Sequence, residues 1–132
     1  MAACCYAADF TATGTSAKAV ESPHLMSSPY SIVITTCSSK DEAETIALLL
    51  VERCLAGCVQ TLAIESVYRW KGAVERAHEW LLICKIKGAD YAVVEAAIRS
   101  AHSYATPEII EIEIERGVEA YFSWLESVTE RT

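Results

Sequence analysis

From residue 30 onward, apolar and polar positions follow two different periods, which predict strands and helices in turn. The run YSIVITTC at residues 30–37 is apolar and β-branched, as is typical of a buried strand. The residues that follow, SSKDEAE, place a serine three positions before an acidic residue, which predicts a helix that begins with a capping box. The next apolar residues recur at helical spacing: Ala43, Ile46, Ala47, Leu50 and Cys54. We expect Cys54 on the inner face of this helix and Gly57 at its end.

A long β-hairpin is predicted after the first helix. The run CVQTLAIESVYRW at residues 58–70 indicates a strand, with a break allowed between Ala63 and Ser66. The dipeptide KG then makes a turn, and VERAHEWLLICKIK returns as the second strand. Alternate residues of the returning strand face opposite sides, and the side that carries Leu81 and Ile83 is too apolar to be wholly solvated. We therefore expect other subunits to cover this face.

A second helix, a short strand and a last helix complete the pattern. The run GADYAVVEAAIRSAH at residues 88–102 is amphipathic at helical spacing, and Pro107 prevents the helix from continuing. EIIEIEIE, at residues 108–115, alternates between isoleucine and glutamate, which predicts a strand with one apolar and one acidic side. We expect Lys85 and Lys87 to be cross-strand partners of these glutamates. The final amphipathic run, VEAYFSWLESVTE, predicts the last helix.

The resulting order, β-α-β-β-α-β-α, predicts an α+β fold. Two β-α-β units divided by a hairpin form a ferredoxin-like sandwich, in which helices pack on one face of an antiparallel sheet. The regular patterning begins only after a segment that contains Pro23, Pro29 and several serines. We therefore expect residues 30–132 to form the domain and residues 1–29 to form a flexible leader or extension.

Length, charge and cysteine content narrow the classes of function. The 132 residues suit a single domain, and the formal net charge of −7 argues against a nucleic-acid partner, which needs a basic face. No apolar run reaches the roughly 18–20 residues of a membrane span, so we expect none. The cysteines that follow residue 30 lie in apolar, periodic segments, which indicates reduced thiols and not a disulfide framework. This predicts a cytoplasmic protein, unless residues 1–29 direct the chain to an organelle.

The residues that could carry chemistry are few. The chain has no glycine-rich phosphate loop and no G-x-S-x-G, H-E-x-x-H or C-x-x-C motif, so we predict that it is not an enzyme. For Cys58, both packing and ligation of a soft metal ion stay open. His102 ends the second helix. A histidine at this position either is stabilised by the helix dipole or binds a ligand. Tyr68 and Trp70, at the end of the hairpin, are more typical of subunit contacts or a core than of ligand stacking.

Five runs of residues, taken in order, resemble one known family. They are VERCLAGCVQ, SVYRWKG, HEWLLICK, HSYATPEII and YFSWLES. Together they are similar to the CutA family of divalent-cation tolerance proteins over residues 31–128. The resemblance implies a homotrimer of ferredoxin-like subunits whose strands extend one another's sheets. It also implies a non-enzymatic protein of the metal-ion response, which binds copper or another divalent cation and has no organic cofactor.

The same resemblance implies a set of site residues at a cleft between subunits. The metal ligands would be Cys58, Glu79 and His102. Four further residues would line this cleft or contact a neighbouring subunit: Tyr68, Trp70, Tyr104 and Glu108. The trimeric PII signalling proteins share the architecture, so the alternative function is a PII-like sensor that binds a small molecule between subunits.

Overall fold

Seven helices and strands follow one another in the predicted order. The computed structural model of the chain describes residues 28–131, so the predicted leader lies almost entirely outside the described residues. The elements are β1 (Tyr30–Cys37), α1 (Lys40–Glu52), β2 (Cys58–Trp70), β3 (Ala73–Lys87), α2 (Tyr91–Ala101), β4 (Ile109–Glu113) and α3 (Glu119–Val128), with a short 3-10 turn before α2. The strands form one antiparallel sheet in the order β2-β3-β1-β4. This confirms the ferredoxin-like sandwich. Within residues 28–131, no helix is both long and apolar enough to cross a membrane.

The start of α1 agrees with the sequence prediction, but its end does not. The Ser39 hydroxyl accepts a hydrogen bond from the Glu42 amide at 3.2 Å, as an N-cap should. The helix ends at Glu52, before Cys54, which has a φ of 56°. Cys54 therefore takes the left-handed conformation that we expected of Gly57, and it is half-buried beyond the helix instead of lying on its inner face.

Gly57 serves close packing and not helix termination. A Cβ atom at this position would lie 2.5 Å from Leu125 Cδ1 and 3.0 Å from Val128 Cγ2. Both neighbours belong to α3, and Leu125 is completely buried. The absence of a side chain at Gly57 thus allows α3 to approach the start of β2.

The β2–β3 hairpin is long, and no break interrupts it. Its two strands pair without a gap from Cys58 to Trp70, and the turn residues Lys71 and Gly72 both have positive φ, as a two-residue type I′ turn requires. The partner strand β1 pairs with β3 only as far as Trp80. Residues 64–79 therefore continue beyond β1 as a two-stranded hairpin arm of about 23 Å.

The core lies between the sheet and the helices α1 and α2. Alternate residues of β1 and β3 that face these helices, among them Val33, Leu82 and Cys84, are completely buried. They pack in one cluster with the inner residues of the two helices, of which Ile46 and Ile98 are also completely buried. We call this side of the sheet the helix face. It is complete within one chain.

The opposite side of the sheet, which we call the open face, is apolar and only partly covered. Its exposed apolar residues include Leu62 and, on the edge strand β4, Ile110 and Ile112. The helix α3 covers one end of this face, where the Phe122 ring stacks on Tyr30 with 4.5 Å between centroids. The open face is therefore left uncovered between α3 and the hairpin arm.

The glutamates of β4 do not pair with lysines of β3, so this prediction is wrong. Since β1 lies between β3 and β4, the two strands are not neighbours. Glu111 also lies opposite Val33, on the helix face, whereas Lys85 and Lys87 are on the open face. Lys87 instead approaches Glu126 of α3 at 4.0 Å. The alternation in the sequence was recognised correctly, but it could not indicate the order of strands.

Candidate functional site

A cleft of about 710 Å³ lies between the hairpin arm and the loop that follows α2. One side is formed by residues 66–79 of the arm, and the other by residues 103–108 of the loop. It is lined by Thr36, Ser66, Val67, Tyr68, Trp70, Glu79, Ser103, Tyr104, Ala105, Thr106 and Glu108. All four residues predicted to line a pocket or an interface are among them, and so is one of the three predicted metal ligands. No arginine or lysine is a lining residue.

The Glu79 carboxylate is the most enclosed charge in the cleft. Glu79 lies on the open face of β3, opposite Ile64, and is only 9% exposed. The Tyr104 hydroxyl donates a hydrogen bond to its Oε2 atom at 3.0 Å. Burial, followed by this bond to a carboxylate, raises the pKa of Tyr104 to about 12, so the phenol stays a donor at physiological pH. Within residues 28–131, no cationic side chain forms an ion pair with Glu79.

His102 holds the loop that carries Tyr104. Its buried ring has Nε2 at 2.7 Å from the Thr36 carbonyl oxygen, which can only accept, so Nε2 carries the proton. Its Nδ1 then accepts a hydrogen bond from the Tyr104 amide at 3.1 Å. Because both ring nitrogens are engaged, His102 has no lone pair free for a metal ion in this arrangement.

Glu42 has a structural role beyond its position in the first turn of α1. Its carboxylate accepts hydrogen bonds from the Ser103 amide at 2.8 Å, from the Ser103 hydroxyl at 3.0 Å and from the Ser38 hydroxyl at 3.1 Å. Burial alone would raise the pKa of Glu42, but these hydrogen bonds hold it below its usual value. Glu42 thus fixes the α2–β4 loop to the start of α1. The one signal in the sequence was its capping-box position.

The predicted ligand Cys58 lies at the base of the hairpin, away from the cleft. It opens β2 opposite Lys85, six residues along β3 from Glu79, which corresponds to about 20 Å. Among the described residues, no three His, Cys, Asp or Glu side chains are grouped closely enough to hold a metal ion. A single chain therefore does not bring together the three predicted ligands, Cys58, Glu79 and His102. Their meeting at one site stays a prediction for an assembly of chains.

The other cysteines of the domain differ in how far they are buried. Cys37 and Cys84 are completely buried and free. Burial raises the pKa of Cys84 to about 12, so its thiol remains protonated and packs as a small apolar group. Cys54 and Cys58 are half-buried free thiols, and Cys58 lies close enough to Tyr121 of α3 to contribute, after burial, to raising the pKa of that phenol.

Comparisons with known proteins agree with this fold over most of the chain. A family model described as the CutA1 divalent ion tolerance protein matches residues 31–128. The divalent-cation tolerance protein CutA of Archaeoglobus fulgidus is 37% identical over 101 residues, which are 76% of this chain and 99% of that protein. A solved structure of the periplasmic divalent cation tolerance protein CutA from the same organism is similar with a TM-score of 0.76 at 37% identity, and covers 76% of this chain and 99% of its own.

The names of these relatives correct the predicted cytoplasmic location. The Archaeoglobus fulgidus structure is described as a periplasmic protein. Protein CutA of Arabidopsis thaliana, which is named as chloroplastic, is 32% identical over 102 residues, 76% of this chain and 56% of that protein. The prediction was wrong because it was drawn from reduced thiols. Cysteines that pack as small apolar groups do not indicate a compartment.

Proposed function

The chain belongs to the CutA1 divalent ion tolerance family, and from this premise we propose that it acts as a non-enzymatic homotrimer that binds divalent cations, copper among them, in the response to metal ions. The observation that carries the proposal is the Glu79 carboxylate. It is nine-tenths buried, accepts one hydrogen bond, from Tyr104, and has no cationic partner among the described residues. A buried carboxylate without a counter-charge is costly, and a bound cation relieves that cost.

The open face and the hairpin arm support assembly into a trimer. A contiguous apolar face that stays exposed in a single chain favours burial against other chains. A two-stranded hairpin such as residues 64–79 is at best marginally stable when it stands alone in water. A neighbouring subunit that lies along the arm and the open face would bury the apolar surface and stabilise the hairpin.

Such an assembly also offers a route to the predicted metal site. Cys58 of one subunit would join the Glu79 cleft of a neighbour, since both residues lie on the open face, where we propose that chains meet. A thiolate is a soft ligand that favours Cu(I), and a carboxylate adds a negative charge. His102 would take part as a ligand only after its Nδ1 atom released the Tyr104 amide. In the unliganded geometry, its role is to position Tyr104 against Glu79.

Titration with Cu(II), and anaerobically with Cu(I), against a competing chelator tests the proposal. We expect Cys58→Ser to weaken binding at least about tenfold, because it removes the soft ligand. Cys54→Ser is the matched control, since Cys54 is also a half-buried free thiol and lies four residues away. Equal affinity in the wild type and Cys58→Ser, or equal losses in both variants, would contradict the role of Cys58.

The PII-like alternative is favoured by one observation, the size of the cleft. A volume of about 710 Å³ suits a small organic molecule. The charges on the lining residues oppose a nucleotide, because Glu79 and Glu108 line the cleft and no basic residue does. A thermal-shift comparison of ATP with copper ions separates the two functions. We expect stabilisation by copper and none by ATP.

A further inference from the structure

The cleft combines carboxylates with aromatic rings. Three of its lining residues are Tyr68, Trp70 and Tyr104, and its two ionisable acids are Glu79 and Glu108. We propose that this cleft binds a small organic ammonium ion, of the size of an alkyl diamine. This ligand is distinct from the metal ion proposed above, and it makes no contact with Cys58 or with the His102 ring.

The aromatic residues are the first argument. Weakly hydrated organic cations bind to the faces of aromatic rings, and tryptophan is the best of these rings. Trp70 already accepts such a contact, because the ammonium nitrogen of its neighbour Lys71 lies 5.9 Å from the ring centroid. The methylene groups of an alkyl ammonium ion would also remove apolar ring surface from water. A bare metal ion gains nothing from those surfaces.

The Glu79 carboxylate is the second argument. The Tyr104 hydroxyl fixes its Oε2 atom, while Oε1 has no hydrogen bond from the described residues and is not fully enclosed. Because the bond to Oε2 holds the whole carboxylate in position, the Oε1 atom of this nine-tenths buried group faces the cleft in a fixed orientation. An ammonium group that donates to this atom forms a charge-assisted hydrogen bond, which is about twice as strong as a neutral one.

Size and ligand number are the third argument. Hard divalent cations need about six oxygen ligands around one point. The described residues offer no group of three acidic, histidine or cysteine side chains that could surround an ion. A volume of about 710 Å³ is also far larger than a bare ion but falls in the usual range for small organic ligands. The cleft of a single chain therefore fits an organic cation, whereas a metal ion at Glu79 would need further ligands from a neighbouring subunit.

Isothermal titration of the 132-residue chain with 1,4-diaminobutane tests the proposal. Two probes of similar length serve as controls: the neutral 1,4-butanediol and the anionic succinate. We expect measurable binding of the diamine and at least about tenfold weaker binding of both controls, because charge-assisted contacts carry the affinity. Binding of butanediol as tight as that of the diamine, or no detectable binding of the diamine, would overturn the proposal.

Variants locate the binding. Glu79→Gln keeps an oxygen for the Tyr104 hydroxyl but removes the charge, so we expect at least about tenfold weaker diamine binding. Glu65→Gln is the matched control, because Glu65 lies in the same arm with a side chain that is 82% exposed and does not line this cleft. Unchanged affinity in Glu79→Gln would overturn the assignment.

A second variant keeps the test decisive if Glu79→Gln does not fold. Trp70 is exposed at the tip of the arm, so Trp70→Leu should leave the fold intact and weaken diamine binding about threefold to tenfold. Unchanged diamine affinity in Trp70→Leu would then count against the cleft. The Cu(I) titration of Cys58→Ser reports on the metal proposal separately, so failure of one proposal is distinguishable from failure of the other.

Discussion

The two faces of the sheet differ in what a single chain can complete. On the helix face, residues such as Val33 and Leu82 are completely buried against α1 and α2. On the open face, Ile110 and Ile112 of the edge strand remain about half exposed, although the side chains are of the same kind. The helix face thus contains the core on which folding depends. The open face carries the cleft residue Glu79 and the surface that we propose for assembly.

This difference shows why binding and stability can be separated in this molecule. Apart from Thr36 of β1, the residues that line the cleft lie on the hairpin arm and on one loop, outside the buried cluster. Substitutions on the open face should therefore change association and ligand binding, whereas substitutions on the helix face should change the folding of each chain. Four substitutions test this division.

The largest effect is expected from a charge on the open face. Ile112→Glu places a carboxylate where we propose that chains meet, and burying it without a partner would cost several kcal/mol. We expect the molar mass from light scattering to fall from three chains to one chain of 14.4 kDa, with the far-ultraviolet circular dichroism unchanged. Leu48→Glu is the control, because Leu48 is 59% exposed on α1 and should not affect assembly. A mass that does not change in Ile112→Glu would contradict the account.

A cavity on the helix face should have the next largest effect. Leu82→Ala removes a completely buried side chain and should lower the free energy of unfolding by about 3 kcal/mol. Leu62→Ala, on the exposed part of the open face, should cost less than about 1 kcal/mol in the dissociated Ile112→Glu background. Urea unfolding of both variants in that background measures the difference. Equal losses would show that the two faces do not differ as described.

Disturbing the contact between β2 and α3 should have an intermediate effect on the free energy of unfolding. Gly57→Ala adds a Cβ atom 2.5 Å from Leu125 Cδ1, so α3 must shift. We expect a loss of about 2 kcal/mol in the free energy of unfolding, as is usual for overpacking. Gly72→Asn is a useful contrast, because a Cβ atom there meets no neighbour and asparagine tolerates the positive φ. A loss in Gly72→Asn as large as that in Gly57→Ala would remove the packing explanation.

The smallest effect is expected from the ion pair that fixes the end of the chain. Arg131 donates to both carboxylate oxygens of Asp90, at 2.9 and 2.7 Å, and this pairing holds the pKa of Asp90 below its usual value despite burial. A lowered folded-state pKa means that the stabilisation is present above the unfolded-state pKa of 3.8 and is lost as the pH falls through the folded value.

Asp90→Asn should therefore lower the free energy of unfolding by about 1 kcal/mol at pH 7, a modest value because the guanidinium is partly exposed. The difference from the wild type should shrink as the pH falls below about 4. Urea unfolding at pH 7 and pH 3 measures it. A difference that is independent of pH would show that the charge of Asp90 is not responsible.

Most of the fold could be predicted because its signals are local. The Ser39 cap, the Lys71-Gly72 turn and the alternation of apolar residues each depend on neighbours in sequence. The end of α1 could not be predicted in the same way. Glycine is typical of helix ends, which is why the sequence pointed to Gly57. In the structure, Gly57 instead makes room for α3 at the start of β2, and Cys54 takes the left-handed conformation after the helix.

The candidate site was only partly predictable from the sequence. The resemblance indicated Glu79, Tyr104 and the aromatic residues of the arm, which do line one cleft. The importance of Glu42 depends on a loop that is 61 residues away in sequence, and no local pattern reports such a contact. The distance of about 20 Å between Cys58 and Glu79 follows from their positions along the hairpin. A sequence pattern does not indicate whether a neighbouring chain brings the two residues together.

The most direct test of the account is a Cu(I) titration that compares the wild-type assembly with the dissociated Ile112→Glu chain. If the ligands come from different subunits, copper affinity should fall at least about tenfold on dissociation, because one chain lacks a group of three ligands. We predict this loss in Ile112→Glu and full affinity in Leu48→Glu. Wild-type affinity in the folded, dissociated chain would contradict a site that is shared between subunits.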